Sequence, residues 1–251
     1  MTGGEWQPYC GAAPTATTLW SRWNLDPVLL ALLAMAALVL AIVASRLPEA
    51  SRGRMAAAWG ILALLFVSPL CAATSALFAF RVVHHLMLGA AAVPLLAWAL
   101  PPRISASPHL AAWTVLQALV FWAWHAPGAY AWTFSSDAAY WLMQATLSAS
   151  AWLFWRAVRA ASAPMAVAAL LATTVQMGLL GALLTFAPTS LYTPHLLTTI
   201  SFGLVPIEDQ QLGGLLMWVP ASLVYAGLAA ATLRTALLPA RPTAPHRDAA
   251  A

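Results

Sequence analysis

Runs of about twenty apolar residues, separated by short polar connections, recur from Pro27 to Leu233. A hydrocarbon core of roughly 30 Å takes about 20 apolar residues of helix to cross. Seven segments meet that length: Pro27–Ser45, Met55–Ala76, Val82–Leu100, His109–Pro127, Ala139–Val158, Pro164–Phe186 and Leu212–Leu233. The pattern predicts an all-α fold, a polytopic membrane helix bundle of seven transmembrane helices. Residues 1–26 then form a short extracytoplasmic tail, 27–233 a single transmembrane domain, and 234–251 a cytoplasmic tail expected to be disordered. Pro69, Pro94 and Pro220 fall inside spans two, three and seven, where each should kink its helix. Gly213 and Gly214 should let a neighbouring helix or a cofactor approach closely. Met1–Leu25 lacks the basic start and apolar centre of a secretory signal.

Composition supports that reading and fixes its sidedness. The chain is 62% hydrophobic and 7% charged, too sparse in charge to dress a soluble surface. There is no lysine, so arginine alone carries the topology signal. Arg46, Arg52, Arg54, Arg103, Arg156, Arg159, Arg234, Arg241 and Arg247 fall on one side of the predicted spans, and only Arg22 and Arg81 on the other. The bias of arginine towards the cytoplasm predicts an external N-terminus and a cytoplasmic C-terminus. The net charge of +4 is therefore explained by topology, and no basic stripe points to nucleic acid.

Absences narrow the function. Without lysine a retinal Schiff base is impossible. No carboxylate falls at mid-membrane depth, where proton-coupled transporters usually need one. No phosphate loop or hydrolase nucleophile is recognisable, so the chain is not expected to be an enzyme. Cys10 and Cys71 lie too far apart in sequence to define a framework, and Cys71 is expected to be a small buried apolar residue.

The histidines are the chemistry left to explain. The predicted topology puts His84, His85, His125 and His195 on the outer side, and His109 and His246 on the inner side. His84 and His85 stand at the outer end of span three, their directions about 100° apart. One of the pair is expected to face the interior. Met87, three residues after His84, adds a thioether, and imidazole with thioether suits soft Cu(I). The competing reading has one histidine bonded to a backbone carbonyl and the other among lipid headgroups. His125 ends span four just before Pro127 and Gly128, where it either caps free carbonyls or serves as a ligand. Met177 and Met217 lie deeper. Glu208 and Asp209 lead into span seven, where one or the other is expected to cap free N–H groups.

Five stretches, in order along the chain, resemble the CtaG-type membrane proteins of bacteria, named for cytochrome c oxidase assembly. They are Trp23-Asn-Leu-Asp-Pro, Arg81-Val-Val-His-His-Leu-Met-Leu, Trp124-His-Ala-Pro, Gly181-Ala-Leu-Leu-Thr-Phe-Ala-Pro with Tyr192, and Glu208-Asp-Gln-Gln-Leu-Gly-Gly-Leu-Leu-Met-Trp-Val-Pro. The resemblance implies a multi-pass protein of the bacterial plasma membrane that helps build a haem–copper oxidase, aiding copper insertion at the outer face. Its partners would be the lipid bilayer and an oxidase subunit or another assembly factor. By motif match His85, His125, Asp209 and Gln210 take the family's characteristic polar positions. A further family histidine in span five is replaced here by Gln144, a poor ligand for soft copper. The expected copper ligands are His85 and His125, helped by His84 and His195, with Asp209, Gln210, Glu208, Gln144, Tyr192 and Met87 as supporting residues. A haem-binding membrane cytochrome and a copper permease are the alternatives.

Overall fold

The computed structural model describes residues 6–101 and 109–238. Among them the regular structure is helical and no strand occurs. Arg103, Arg241, Arg247 and His246 lie outside the described residues, as does the tail beyond Leu238. Helix α11 (Ser222–Leu237) continues past the expected end of the transmembrane domain at residue 233.

Helix α1 (Pro27–Ala44) starts on Asp26, whose carboxylate accepts from the N–H groups of Val28 and Leu29 at 2.7 and 3.2 Å. This is the end-group problem of a helix solved by its N-cap side chain. Helix α1 packs chiefly on α2 (Glu49–Val67) and is otherwise exposed, as a lipid-facing helix must be. Span two breaks where proline forbids its continuation. Ser68 is extended, and α3 (Pro69–Ala76) restarts with Pro69 in its first turn, where the missing N–H does no harm. Leu77 is extended again before α4 (Phe78–Met87). Helix α4 passes through a π-helical turn, Leu88–Ala92, into α5 (Val93–Ala99). The wide turn absorbs the backbone bond that Pro94 cannot donate.

Helices α6 (Leu110–His125), α7 (Pro127–Trp132), α8 (Asp137–Ala160) and α9 (Ala163–Thr185) follow. After a loop of single 3-10 turns, α10 (Pro206–Leu216) runs through a second π-helical turn, Met217–Ala221, into α11. That turn contains Pro220, so Pro69 falls at a break, Pro94 just after a π-helical turn and Pro220 within one. Five segments are long and apolar enough to cross a membrane: α1, α2, α4 through α5, α9, and α10 through α11. Of the other two expected spans, α6 is apolar but shorter, with 16 residues. Helix α8 has 24 residues but mixes Gln144, Ser148, Ser150 and Arg156 among its apolar positions, and is not among the five.

One end of the bundle is fastened by arginine. Arg159 donates to the carbonyls of Ala97 and Leu100 at 2.8 and 2.6 Å, and Arg156 to Leu100 and Pro101 at 3.2 and 3.1 Å. These are the free carbonyls at the C-terminus of α5, matched by charge to the negative end of the helix.

Glycine lets α9 and α10 touch backbone to backbone. A Cβ at Gly214 would lie 2.6 Å from the Gly181 carbonyl oxygen and 2.8 Å from the Thr185 nitrogen. Small residues permit this approach between membrane helices. Gly214→Val is expected to force the helices apart and cost about 3 kcal/mol. A thermal midpoint within a degree of wild type would contradict the crossing.

Candidate metal centre

At the end opposite Arg156 and Arg159, four elements converge: the start of α4, the end of α6, the start of α8 and the loop before α10. The start of α4 is held from a distance. Leu77 supplies no side-chain cap. The Asp209 carboxylate of α10 does so instead, accepting from Phe78 N–H at 2.7 Å and Ala79 N–H at 3.0 Å. Asp209 is fully buried. Of the two acids expected to cap this helix start, Glu208 takes the local role, while the Asp209 side chain points across to α4. Glu208 accepts from the backbone N–H of Val205 at 2.9 Å. Gly213 makes room for this contact, since a Cβ there would meet the Phe78 ring at 2.5 Å.

Gln210 and Tyr192 fasten the loop. The Gln210 carbonyl oxygen accepts from Leu191 N–H at 2.7 Å, and its amide donates to the Leu184 carbonyl at 3.2 Å. The Tyr192 hydroxyl donates to the His125 carbonyl at 2.8 Å, and its ring stacks on Phe78 at 4.0 Å. Both residues work as structural supports for the elements that carry the histidines.

His84 and His85 are both buried, which corrects the expectation that only one of them faces inward. They sit nearly two turns into α4, and protein covers both directions. Phe66 of α2 meets the His84 ring edge-on at 5.0 Å, and His125 of α6 meets the His85 ring at 5.5 Å. The His84 and His85 rings are 5.9 Å apart. His125 is 2% exposed, and its Nδ1 lies 2.7 Å from the Phe121 carbonyl oxygen. A carbonyl can only accept, so Nδ1 carries the proton and Nε2 keeps its lone pair. That nitrogen has no hydrogen-bond partner, and neither ring nitrogen of His84 or His85 has one of ordinary geometry. The capping alternative for His125 thus describes one ring nitrogen and leaves the other free for a ligand role.

His195 stands apart from these three. It lies in a 3-10 turn, with Nε2 2.6 Å from the Tyr130 hydroxyl and Phe134 edge-on at 5.3 Å. Burial, with the Arg81 charge second, holds its imidazole down at about 3. An unfolded histidine titrates near 6.5, so below that pH the unfolded chain takes a proton that the folded chain refuses. Stability from this group is therefore complete above pH 6.5 and is lost as pH falls towards 3, by about 1.4 kcal/mol per pH unit. Thermal unfolding between pH 7.5 and 5 should show this slope in wild type and a shallower one in His195→Gln; equal slopes would contradict it. His109, at the N-terminus of α6, belongs to the other end. Met87 is partly buried among core residues and makes no contact that places it with the histidine rings.

Arg81, read from sequence as part of an outer connection, is buried at 1% exposure within α4. Its guanidinium faces the rings of Phe134, Tyr140 and Tyr130 at 4.9, 5.4 and 5.9 Å. Gln144 is buried one turn beyond Tyr140, and neither atom of its amide has a partner of ordinary geometry. Below His85 a cavity of about 20 Å³ is lined by Gln117, Phe121, Ser150, Met177 and Tyr225. It is large enough for about one water or one ion.

The N-terminal segment forms a lid over this end, a feature missed in the sequence. Cys10 and Cys71 are joined in a disulfide, which corrects the reading of Cys71 as merely a small apolar residue. The expectation failed because the two cysteines are 61 residues apart and only the folded tail brings them together. Tyr9 stacks on Tyr140 at 4.9 Å and donates to Asp26 at 2.9 Å, while the Gln7 N–H donates to the Phe134 carbonyl. Closing a loop of that length removes roughly 4 kcal/mol of unfolded-chain entropy in the simplest account. Cys10→Ser is therefore expected to raise amide hydrogen exchange across residues 6–13; unchanged protection there would contradict the lid.

Two pairs of imidazole rings are close enough for their spacing to allow a shared metal. A metal about 2.0 Å from each nitrogen lies roughly 3 Å from each ring centroid, so two ligand rings can stand up to about 6 Å apart. His85 with His125, and His84 with His85, satisfy that limit. Among the described residues, no group of three or more His, Cys, Asp or Glu side chains is arranged to hold a metal ion. Any site here is thus open, with few ligands.

A family model described as cytochrome c oxidase caa3 assembly factor matches residues 102–237, more than half of the chain. The match takes in His125, Gln144, His195 and Asp209, while Arg81, His84 and His85 precede it. No curated protein and no solved structure matches the chain significantly.

Proposed function

We propose that this chain, which belongs to the cytochrome c oxidase caa3 assembly factor family, holds Cu(I) transiently between His85 and His125 at the outer face of the bacterial plasma membrane and passes it to the oxidase. The observation that carries this reading is the His125 imidazole. Its proton is committed to the Phe121 carbonyl, and its lone-pair nitrogen is buried, unpartnered and beside a second unpartnered imidazole. A buried polar atom with no partner calls for an explanation, and a metal ion accounts for these. The backbone carbonyl behind His125 is the kind of second support that orients metal-ligating histidines.

Soft, few-ligand Cu(I) matches the donor set: imidazole nitrogens, with the Met177 thioether in the cavity below His85. An open site also suits a carrier that must release its cargo. His84, on the far side of His85, borders the pair without forming a group of three with it. The haem alternative is less well supported, because the cavity that His85 lines has about 20 Å³ and a macrocycle needs hundreds. The arginine pattern supports an external lid and external histidines, and a disulfide in the lid suits an oxidising compartment.

Deletion of the gene tests the function. Oxidase activity should fall while other respiratory cytochromes persist, and high external copper should restore part of it. Restoration by plasmid-borne wild type but not by the His85→Ala, His125→Ala double variant is expected. Normal oxidase in the deletion strain would overturn the proposal.

A further inference from the structure

A bare cation does not complete this site. Arginine stays charged at any accessible pH and carries five N–H donors but no acceptor. Arg81 is buried, and none of its three nitrogens has an acceptor of ordinary geometry. The rings of Tyr130, Phe134 and Tyr140 stabilise its charge through their faces. Ring faces do not satisfy a fork of N–H donors, and the one hydroxyl that approaches it, that of Tyr130, is shared with His195 Nε2 at 2.6 Å. Asp209, whose charge is felt at Tyr130, is already committed to the Phe78 and Ala79 amides.

Arg81, His84 and His85 are spaced i, i+3 and i+4 on α4 and so share a face. A cation bound at the histidines would therefore add a second positive charge to a low-dielectric region that already holds one, and repulsion there is strong. The Gln144 amide, buried, unpartnered and one turn from Tyr140, is a further donor on this side. Ser75 and Phe134 also line an open cleft of about 750 Å³ at the lid. Solvent thus comes within one ring of the guanidinium.

We propose that Arg81 holds a small monovalent anion, of chloride size, next to the histidines, so that the site takes a metal cation together with an anionic partner. The anion supplies acceptors for the guanidinium, with the Gln144 amide as a further donor, and cancels the charge that would repel the metal. The metal half of this statement rests on the reading of His85 and His125 given above. The anion half does not.

The test uses the purified full chain in nanodiscs of zwitterionic lipid, in a buffer whose only bulk anion is gluconate. Metal-free protein is titrated with chloride and followed by broadening of the 35Cl resonance. Saturable broadening is expected in wild type, weaker broadening in Gln144→Leu and none in Arg81→Gln. Gln144→Leu keeps the buried charge and serves if Arg81→Gln fails to fold. Absence of saturable broadening in wild type overturns the anion site whatever copper does.

Cu(I) affinity is then measured against bicinchoninate with and without chloride, with chloride's own binding of Cu(I) taken into account. Binding of the two ligands is reciprocal, and chloride is expected to tighten Cu(I) binding by roughly fivefold or more. Unchanged or weaker Cu(I) binding overturns the pairing. Chloride binding by a protein that takes up no Cu(I) overturns the metal reading and leaves Arg81 as an anion site.

Discussion

His125→Ala is expected to weaken Cu(I) binding by at least about 100-fold, because loss of even an outer-shell partner of a metal site costs 10- to 100-fold. His125 is the donor whose state is fixed by its surroundings. Its Nδ1 proton goes to the Phe121 carbonyl, so Nε2 presents a lone pair without any prior loss of a proton. His85 and His84 have no such fixed tautomer, and His85→Ala leaves His84 beside the vacated position. The single His85 variant should therefore lose less than the His125 variant, and the double variant should bind no more than background. His109→Ala, at the other end of the bundle, should bind as wild type does. Competition against a Cu(I) chelator reads all four. Stoichiometric binding by the double variant would remove the two histidines from the account.

Asp209→Ala is expected to cost about 3 kcal/mol and to loosen the histidines at the same time. The carboxylate is the only described side-chain cap on α4, the helix that carries Arg81, His84 and His85. Its removal leaves two N–H groups at a buried helix start without acceptors. Each such group costs about 1 to 3 kcal/mol, and the favourable charge at the helix N-terminus is lost as well. Asp209→Asn keeps one acceptor oxygen and should lose roughly half as much. The thermal midpoint and amide exchange over residues 78–85 measure both effects. An Asp209→Ala protein as stable as wild type would show that the long-range cap does not hold α4.

Much of the helical framework was legible because its signals are local. Hydropathy marked the five segments long and apolar enough to cross a membrane, and Pro69, Pro94 and Pro220 fall at a break or beside or within a π-helical turn. Gly213 and Gly214 were read as points of close approach, and Phe78 and Gly181 are what approaches them. The site was only partly legible. Helical order brought His84, His85 and His125 to one end, but sequence periodicity could not say that His195 would pair with Tyr130 instead.

The remaining errors share a cause, which is contact across long sequence separation. Asp209 precedes apolar residues as an ordinary cap would, and nothing local directs it to an amide 131 positions away. Cys10 and Cys71 look unrelated until Tyr9 and Asn24 pin the tail over the bundle. Arg81 looked like a connection residue because arginine usually is one in such chains. The absence of any acidic residue near it in sequence was the available signal that its charge would need another partner.

X-ray absorption at the copper edge of the Cu(I)-loaded chain tests the central claim most directly. The account predicts two imidazole nitrogens at about 2.0 Å. It also predicts the outer-ring scattering that marks histidine, and loss of one such ligand in His85→Ala. A copper shell dominated by sulfur, or one unchanged when both His85 and His125 are replaced, would contradict it.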